Sequence, residues 1–247
     1  MNIIITMAGA GSRFRDAGYS QPKYQIEAHG KTLFAWSLMS MTDYLPHANQ
    51  VVFLVRAEDH AGAFIRGEAE KLGIRNMRVI ELDYLTDGQA TTALLGIRQC
   101  PPEEPVMIYN IDTYIEPNEM RFEQISGAGY IPCFLAGGTH WSFVRLDESG
   151  RAVEVAEKRR ISGNCSLGAY YFASATLYLD AYDRLYGAGW DGAREKYIAP
   201  MYNLLIADGR EVRISLVNPE RVHVLGTPEE LNAFLALPLS RVSGETR

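Results

Sequence analysis

Cysteine is scarce in this chain. The 247 residues include three cysteines, Cys100, Cys133 and Cys165, which are far apart and odd in number. The count excludes a disulfide framework, and the spacing excludes a Cys-x-x-Cys zinc site. Because a chain of this length can bury roughly 70–75% of its unfolded surface, it needs neither device to fold.

Long apolar runs and an excess of positive charge are also lacking. No run of about 18 apolar residues occurs, so we expect no membrane-spanning helix. The first apolar run has no basic residues before it and breaks at Gly9 and Gly11, which argues against a signal peptide. A net charge of −6 argues against a nucleic-acid groove. We therefore expect a cytoplasmic protein that binds neither membrane nor nucleic acid.

The first part of the chain alternates short apolar runs with helix-like stretches. Such alternation is typical of βαβ units, and runs that are apolar throughout fit strands covered on both faces. The predicted strands are 3–7, 51–55, 77–82 and 106–111, and the predicted helices are 33–41, 60–72 and 88–97. The pattern predicts an α/β protein with a three-layer αβα, Rossmann-like fold and a mixed, mainly parallel sheet.

After about residue 130, shorter strands joined by turns predominate. The predicted strands are 130–136, 142–146, 152–156, 169–173, 212–217 and 222–225. The predicted helices are 175–186 and 193–207, and another begins at Thr227-Pro228-Glu229-Glu230. No linker or repeat divides the chain, so we predict a single domain over residues 1–247. It would have two halves, 1–130 and 131–239, and a frayed polar tail over 240–247.

The most informative motif follows the first strand. The stretch MAGAGSR, residues 7–13, is a Gly-x-Gly turn whose backbone N–H groups can face a bulky anion. Residues 1–31 contain four cations and two acids. Arg13 can bind two phosphate oxygens at once, and Lys23 offers a compact charge. The segment therefore predicts a site for a polyanion such as a triphosphate.

Two familiar glycine loops do not fit this stretch. Phe14 occupies the third glycine position of the dinucleotide fingerprint, and no glycine stands five residues before Gly30 as a P-loop requires.

The stretch MAGAGSRF…QPKY instead resembles the start of the nucleotidyltransferase family with a GT-A-like Rossmannoid fold. These enzymes join a nucleoside triphosphate to a phosphorylated acceptor such as a sugar phosphate and release pyrophosphate. The resemblance implies that Arg13 and Lys23 are catalytic, with Lys23 neutralising the α-phosphate. It also implies that the triphosphate is wrapped by Ala8, Gly9, Ala10 and Gly11.

Later segments continue the resemblance in order. Gly88 and Gln89 stand where the family reads the nucleobase, and an amide that offers a donor and an acceptor suits a pyrimidine. The resemblance implies that Asn110 also binds the nucleotide. It further implies that Asp112, at the end of an apolar strand, binds Mg²⁺. Residues 1–130 would thus be the nucleotide-binding half.

The second half, residues 131–239, would bind the acceptor. Glu157, Lys158 and Gly168 match the family's acceptor-binding stretch, with Lys158 on the acceptor phosphate. Arg159 stands where the family often has proline, and we interpret Arg159 and Arg160 as solvated charges. Residues 195–203 could line the acceptor pocket or belong to the core, and the three tryptophans are interpreted as packing residues.

One motif departs from the family. Its usual W-x-D-x-G-T-P sequence appears as residues 222–228, and Val224 replaces the aspartate that would be a second metal ligand. His223 is not expected to substitute, because neighbours along a strand point to opposite faces. Asp112 would then bind the metal alone or with another acid.

The predicted reaction is transfer of a nucleoside monophosphate, a pyrimidine being favoured, to a sugar 1-phosphate or similar acceptor. Two alternatives stay open. A GT-A glycosyltransferase usually has Asp-x-Asp, which Asn110-Ile111-Asp112 matches in one position only. A nucleotide-binding protein without catalysis is the other alternative. Assembly into a homo-oligomer is also left open.

Overall fold

The described part of the computed structural model comprises residues 1–188, 190 and 195–242. A ten-stranded mixed sheet and two small strand pairs organise it. The strands are β1 (Asn2–Thr6), β2 (Glu27–Ala28), β3 (Lys31–Thr32), β4 (Gln50–Arg56), β5 (Met77–Leu82), β6 (Val106–Asn110), β7 (Thr113–Ile115), β8 (Gly129–Leu135), β9 (Ser142–Leu146), β10 (Ala152–Glu157), β11 (Asn164–Ser166), β12 (Ala169–Phe172), β13 (Val212–Val217) and β14 (Val222–Val224).

Helices follow or separate these strands. They are α1 (Ser12–Asp16), α2 (Leu33–Met39), α3 (Gly62–Lys71), α4 (Gln89–Ile97), α5 (Ala175–Tyr186), α6 (Tyr202–Ala207), α7 (Pro228–Leu235) and α8 (Leu239–Val242). The side-chain oxygens of Thr32, Ser174 and Thr227 accept backbone N–H groups at the starts of α2, α5 and α7, as expected of helix-capping residues. Among the described helices, none combines the length and the apolar character needed to cross a membrane.

The large sheet runs in the order β10-β9-β11-β8-β12-β6-β1-β4-β5, and β13 also pairs with β8. Its first-half strands β5, β4, β1 and β6 are mutually parallel, whereas β12 is antiparallel to β6. The register sets Thr6 of β1 opposite Asn110 of β6, so the carboxyl ends of these strands meet at one edge. The predicted mixed sheet is confirmed.

Strand β1 shows how helices cover both faces of the sheet. Ile3 and Ile5 pack with Phe34 of α2, whereas Ile4 packs with Ala93 of α4. All three isoleucines are fully buried. Because successive side chains of a strand point to opposite faces, an unbroken apolar run requires cover on both. The predicted αβα layering is therefore confirmed.

The C-terminal segments pack on a smaller cluster beside the sheet. Strand β14 pairs with β7, and Trp36, Tyr114 and Phe234 pack together there. Val242 of α8 joins this cluster and is fully buried. The predicted polar tail over 240–247 is thus wrong at its start, because residues 240–242 are helical. Residues 243–247 lie outside the described part of the chain.

The predicted helix over 193–207 is also wrong at its start. Residues 195–197 have no regular structure, a 3₁₀ turn spans Ala199–Met201, and α6 begins at Tyr202. The backbone of Lys196 bonds instead to Asp87 and Ala90 on a different segment. Pro200 has no N–H group to donate within a helix. Residues 193 and 194 lie outside the described part of the chain.

Candidate active site

A cavity of about 1000 Å³ opens at the sheet edge where β1 and β6 end. In open α/β sheets this edge is where ligands bind. Every residue singled out from the sequence for the site lines this cavity: Ala8, Gly9, Ala10, Gly11, Arg13, Lys23, Gly88, Gln89, Asn110, Asp112, Glu157, Lys158 and Gly168. Segments far apart in the chain are thus brought to one place.

The glycine loop forms one wall of the cavity. Gly11 has a left-handed backbone, with φ of 63°, and immediately precedes α1. A Cβ built on Gly9 or Gly11 would meet no atom within 4 Å. The loop therefore presents its backbone to open space rather than to packed side chains. Such a loop can receive an anion as large as a polyphosphate.

Lys23 and Asp112 face each other inside the cavity. The Lys23 Nζ atom lies 2.9 Å from Asp112 Oδ2, and both side chains are partly exposed. Lys23 begins a short 3₁₀ turn directly after Pro22, and Asp112 follows β6. The Asp112 backbone oxygen accepts the N–H of Leu225, which fixes the loop against the end of β14.

A second carboxylate lies close to Asp112. Glu230 also lines the cavity, and its Oε2 atom accepts the N–H of Gly226 at 3.0 Å. A Cβ on Gly226 would stand 3.4 Å from that oxygen and 3.6 Å from Asp112 Oδ2. Glycine thus leaves room between the two acids. Carboxylate oxygens are the protein ligands that Mg²⁺ prefers, so the donors here fit a divalent cation.

Val224 lines the cavity where the family motif has an aspartate, and it offers no ligand atom. Its neighbour His223 is buried, and its Nε2 atom lies 3.0 Å from Glu116 Oε1. Among the described residues no group of three or more histidines, cysteines and acids stands close enough to hold a metal. Any cation here would therefore need ligand oxygens from substrate or water.

The predicted base-reading residues lie at the start of α4. Gly88 has φ of 150°, and a Cβ there would stand 2.4 Å from the Lys196 backbone oxygen. Gln89 donates its amide N–H groups to Asn110 Oδ1 and to Thr6 Oγ1, the latter at 3.2 Å. Its donor is therefore used within the protein, and the carbonyl oxygen is the part of Gln89 left for a base.

Gly168 has a structural reason to be glycine. Its φ is 77°, and a Cβ there would stand 2.5 Å from Asn110 Nδ2. Its backbone oxygen accepts the N–H of Asn110 at 3.2 Å. Gly168 therefore positions Asn110 as well as lining the cavity.

Glu157 and Lys158, which come from the second half of the sequence, line the cavity where β10 ends. Lys158 has a left-handed backbone, with φ of 51°, and its Nζ atom donates to Tyr197 Oη at 2.5 Å. Ser142 donates to the Glu157 carboxylate. Burial raises the pKa of Glu157 above its usual range, although the Ser142 hydrogen bond opposes this.

The neighbouring arginines do not line the cavity. Arg159 donates to Glu154 Oε1 at 2.6 Å, and Arg160 donates to the backbone oxygens of Ala136 and Gly138. Both therefore act locally on the surface, in line with their interpretation from the sequence as solvated charges.

Several lining residues were not predicted. Trp141 was expected to be a packing residue, but its half-exposed indole lines the cavity beside His140 and Phe134. Glu230 was expected only to begin a helix. The segment 195–203 had two interpretations, and Glu195, Tyr197 and Ile198 line the cavity. The segment 195–203 has more polar and aromatic residues than a helix start needs, and this pointed to the cavity. The sequence around Trp141 has no such feature.

Comparison with solved structures identifies proteins of similar fold. A nucleoside-diphosphate-sugar pyrophosphorylase from Vibrio cholerae RC9 is 36% identical, with a TM-score of 0.87 over 96% of this chain and 100% of that one. An inositol-1-phosphate CTP transferase from T. maritima is 15% identical, with a TM-score of 0.76 over 98% of this chain and 95% of that one.

A third structure, a Bacillus anthracis protein named as a glucose-1-phosphate thymidylyltransferase and crystallised with sucrose, is 14% identical. Its TM-score is 0.78 over 100% of this chain and 96% of that one. No protein-family model matches the chain, and neither does any curated protein.

Proposed function

The chain belongs to the sugar-phosphate nucleotidyltransferase family, and on this premise we propose the reaction that its cavity performs. A nucleoside monophosphate is transferred from a nucleoside triphosphate to a phosphorylated small-molecule acceptor, and pyrophosphate leaves. The observation that carries this proposal is that the glycine loop, Lys23, Asp112 and Lys158 line one cavity. That cavity is large enough, at about 1000 Å³, for two substrates together.

The reaction is an in-line displacement at phosphorus. A phosphate oxygen of the acceptor attacks the α-phosphorus of the nucleotide, and the bond to pyrophosphate breaks. The acceptor phosphate is largely ionised at pH 7 because its second pKa is about 6. The attacking oxygen therefore needs no general base, and the cavity instead has to align two anions that repel each other.

Cationic side chains reduce that repulsion. We assign Arg13 and the loop amides to the outer phosphates of the triphosphate, and Lys23 to the α-phosphate. Lys158 would hold the acceptor phosphate. Charges that are already in position stabilise the negative charge that builds up as the phosphoryl group is transferred, without having to reorganise during the step.

A divalent cation would further neutralise the triphosphate. Asp112 would hold it, and Glu230 offers a second carboxylate, on the side that Gly226 leaves open. When bound, Mg²⁺ withdraws charge from the phosphate oxygens and fixes their orientation. Lys23, now paired with Asp112, would then turn from the carboxylate to the phosphate.

The preference for a pyrimidine nucleotide now depends on a hydrogen-bond acceptor alone, because the amide donor of Gln89 is used within the protein. The Gln89 carbonyl oxygen can accept one hydrogen bond from a base edge, and Gly88 lets the chain pass close to Lys196. We also propose that the enzyme works in the cytoplasm, because nucleoside triphosphates are intracellular substrates.

A screen of substrates tests the proposal. The protein is incubated with Mg²⁺, each of the four common nucleoside triphosphates and a panel of phosphorylated acceptors, and pyrophosphate release is followed. Release that requires an acceptor supports the proposal. Transfer from a finished nucleotide sugar would indicate a glycosyltransferase instead, and nucleotide binding without release would indicate a non-catalytic protein.

Neighbouring cations provide a matched control for the acceptor side. Lys158→Ala should raise the KM for the acceptor, because Lys158 lines the cavity. Arg159→Ala should leave the KM unchanged, because Arg159 pairs with Glu154 outside the cavity lining. Equal effects of the two substitutions would contradict the assignment of Lys158.

A further inference from the structure

Among the residues that the structure describes, the acceptor end of the cavity has more negative than positive charge. Glu157 and Glu195 both line it, and Lys158 is the lysine beside them. Lys158 donates to Tyr197 Oη at 2.5 Å, and Tyr197 in turn donates to Glu195 Oε2 at 2.6 Å. Glu157 accepts a hydrogen bond from Ser142, a neutral group. In the described lining of this end, one ammonium therefore stands against two carboxylates.

A short chain of hydrogen bonds joins the two acidic positions, because Lys158, which follows Glu157, reaches Glu195 through Tyr197. Burial raises the pKa of Glu157 and the charge of Glu195 adds to the increase, while the Ser142 hydrogen bond and the charge of Lys158 oppose it. An ion with no nearby counter-charge is costly to enclose. An acceptor whose phosphate takes Lys158 leaves both carboxylates without that counter-ion, whereas an acceptor that also carries an ammonium group supplies a new one.

Aromatic side chains line the same end. The Trp141 ring packs edge-to-face on Phe134, with centroids 5.1 Å apart, and its Nε1 atom donates to Gly137 O at 3.0 Å. These contacts hold the indole in place at the cavity wall. Tyr197 supplies a second ring, and Lys158 Nζ lies 4.6 Å from its centroid. Aromatic faces next to carboxylates attract organic cations, most strongly where water is excluded.

From this arrangement we propose that the acceptor is a phosphorylated amine. Its phosphate would bind Lys158, and its alkylammonium group would bind between Glu157, Glu195 and the Trp141 ring. The inference rests on the proposed function and specifies the acceptor class. The reaction is unchanged: the new bond joins an acceptor phosphate oxygen to the α-phosphorus, the bond to pyrophosphate breaks, and the ammonium keeps its protons.

Two kinds of compound share this chemistry, namely amino-sugar 1-phosphates and phosphorylated amino alcohols. Matched pairs separate the ammonium from the rest of the ligand. Glucosamine 1-phosphate is compared with glucose 1-phosphate, and phosphoethanolamine with ethyl phosphate, by pyrophosphate release with the preferred nucleotide. We expect kcat/KM to favour the ammonium member of at least one pair by about tenfold or more. The pair in which the ammonium compound is preferred identifies which of the two kinds of compound is the acceptor.

Charge-removing variants test whether the carboxylates cause the preference. Glu195→Gln can still accept the Tyr197 hydrogen bond, and Glu157→Gln can still accept that of Ser142, so each removes mainly the charge. Both variants should reduce the preference for the ammonium acceptor, taken as the ratio of the two kcat/KM values, to about threefold or less. Glu154→Gln is the control, because Glu154 pairs with Arg145 and Arg159 away from the cavity lining.

The outcomes separate this inference from the proposed function. Equal or better turnover of the neutral members would overturn the inference and leave nucleotidyl transfer intact. Failure of every acceptor to release pyrophosphate would overturn the proposed function. Calorimetric binding of phosphoethanolamine and ethyl phosphate then decides the inference. Tighter binding of the amine that is lost in Glu195→Gln supports it, and equal binding overturns it.

Discussion

The ammonium of Lys23 and the carboxylate of Asp112 form an ion pair at 2.9 Å in the centre of the candidate active site. In the proposed reaction neither group can keep this partner, since Lys23 must face a phosphate and Asp112 a cation. Before substrates bind, the ion pair therefore takes the place of the contacts that Lys23 would make to a phosphate and Asp112 to a cation. It keeps a carboxylate and an ammonium neutralised in a cavity that would otherwise hold them uncompensated.

Replacing Lys23 should separate cation binding from catalysis. We expect Lys23→Ala to lower turnover by at least ~10²-fold, because a preorganised positive charge is lost. The same variant should bind Mn²⁺ more tightly in the absence of nucleotide, because Asp112 no longer has an ammonium beside it. Mn²⁺ binding is measured by electron paramagnetic resonance. Lys31→Ala is the control, since Lys31 lies over the Trp36 ring instead. Unchanged Mn²⁺ affinity in Lys23→Ala would argue against competition between the Lys23 ammonium and the cation for Asp112.

Glu230 should contribute to cation binding as well as to the start of α7. Glu230→Gln keeps an oxygen that can accept the Gly226 N–H, so the helix cap and the thermal stability should be preserved. Loss of the charge should weaken Mn²⁺ binding in the presence of nucleotide by a few-fold. The control is Glu229→Gln, an acid in the same helical turn that does not line the cavity. If both variants bind Mn²⁺ like the parent, Glu230 has only its capping role.

Gly88 should not tolerate a side chain. In Gly88→Ala the new Cβ would stand 2.4 Å from the Lys196 backbone oxygen, in a backbone conformation rare for other residues. We expect a loss of roughly 1–3 kcal/mol in the free energy of unfolding from strain, measured by urea denaturation, together with weaker nucleotide binding. Gly67→Ala is the control. Gly67 lies inside α3 with no atom near its Cβ position, so alanine should stabilise the protein by about 0.5–1 kcal/mol. A stable, tightly binding Gly88→Ala protein would show that the segment around Lys196 can move away.

Glu116 should stabilise the fold in a pH-dependent way. Its side chain is 1% exposed and contacts Arg221, His223 and Arg241. Burial raises the pKa of Glu116, but the hydrogen bonds from Arg221 and His223 outweigh burial and bring it below its usual value. Arg221 and Arg241 are 42% and 39% exposed and stay solvated without this partner, so we expect Glu116→Gln to unfold more easily at pH 7 by about 1–2 kcal/mol.

The sign of the pH effect follows from the lowered pKa. A carboxylate whose pKa is lowered by folding contributes stability above its unfolded pKa and loses it as the pH falls through the folded value. The difference in unfolding free energy between the parent and Glu116→Gln should therefore shrink as the pH falls below about 4.5, the unfolded value for glutamate. Denaturant titrations from pH 7 to pH 3 measure it. Glu220→Gln, at an exposed acid beside Arg241, should change stability by less than ~0.5 kcal/mol at every pH. If the difference in unfolding free energy between the parent and Glu116→Gln did not change with pH, the ion-pair explanation would be wrong.

The sequence was most informative where function depends on local backbone. The Gly9–Gly11 turn, the strand before it and Asp112 at the end of β6 can be predicted, because apolar runs and glycines act on their own neighbourhood. Parallel strands then bring these ends to one edge, which is why residues far apart in the chain could be placed in one cavity.

Residues whose role depends on distant packing could not be predicted. Trp141 has an ordinary sequence context, and only the pairing of β9 with β10 and β11 brings it to the cavity wall. The helix over 193–207 was wrong at its start because the backbone of Lys196 bonds to Asp87 and Ala90, partners about a hundred positions away. Glu230 was recognised only as a helix-start residue, because a capping pattern does not indicate that the first turn of the helix faces a cavity.

The stretch 195–198 connects the nucleotide side of the cavity with the acceptor side. Lys196 is tied by its backbone to the start of α4 on the nucleotide side, while Glu195 and Tyr197 border the acceptor side. A displacement of this stretch would change both sides of the cavity at once. If the nucleotide moves it and thereby alters the affinity for the acceptor, then by linkage the acceptor alters the affinity for the nucleotide by the same factor.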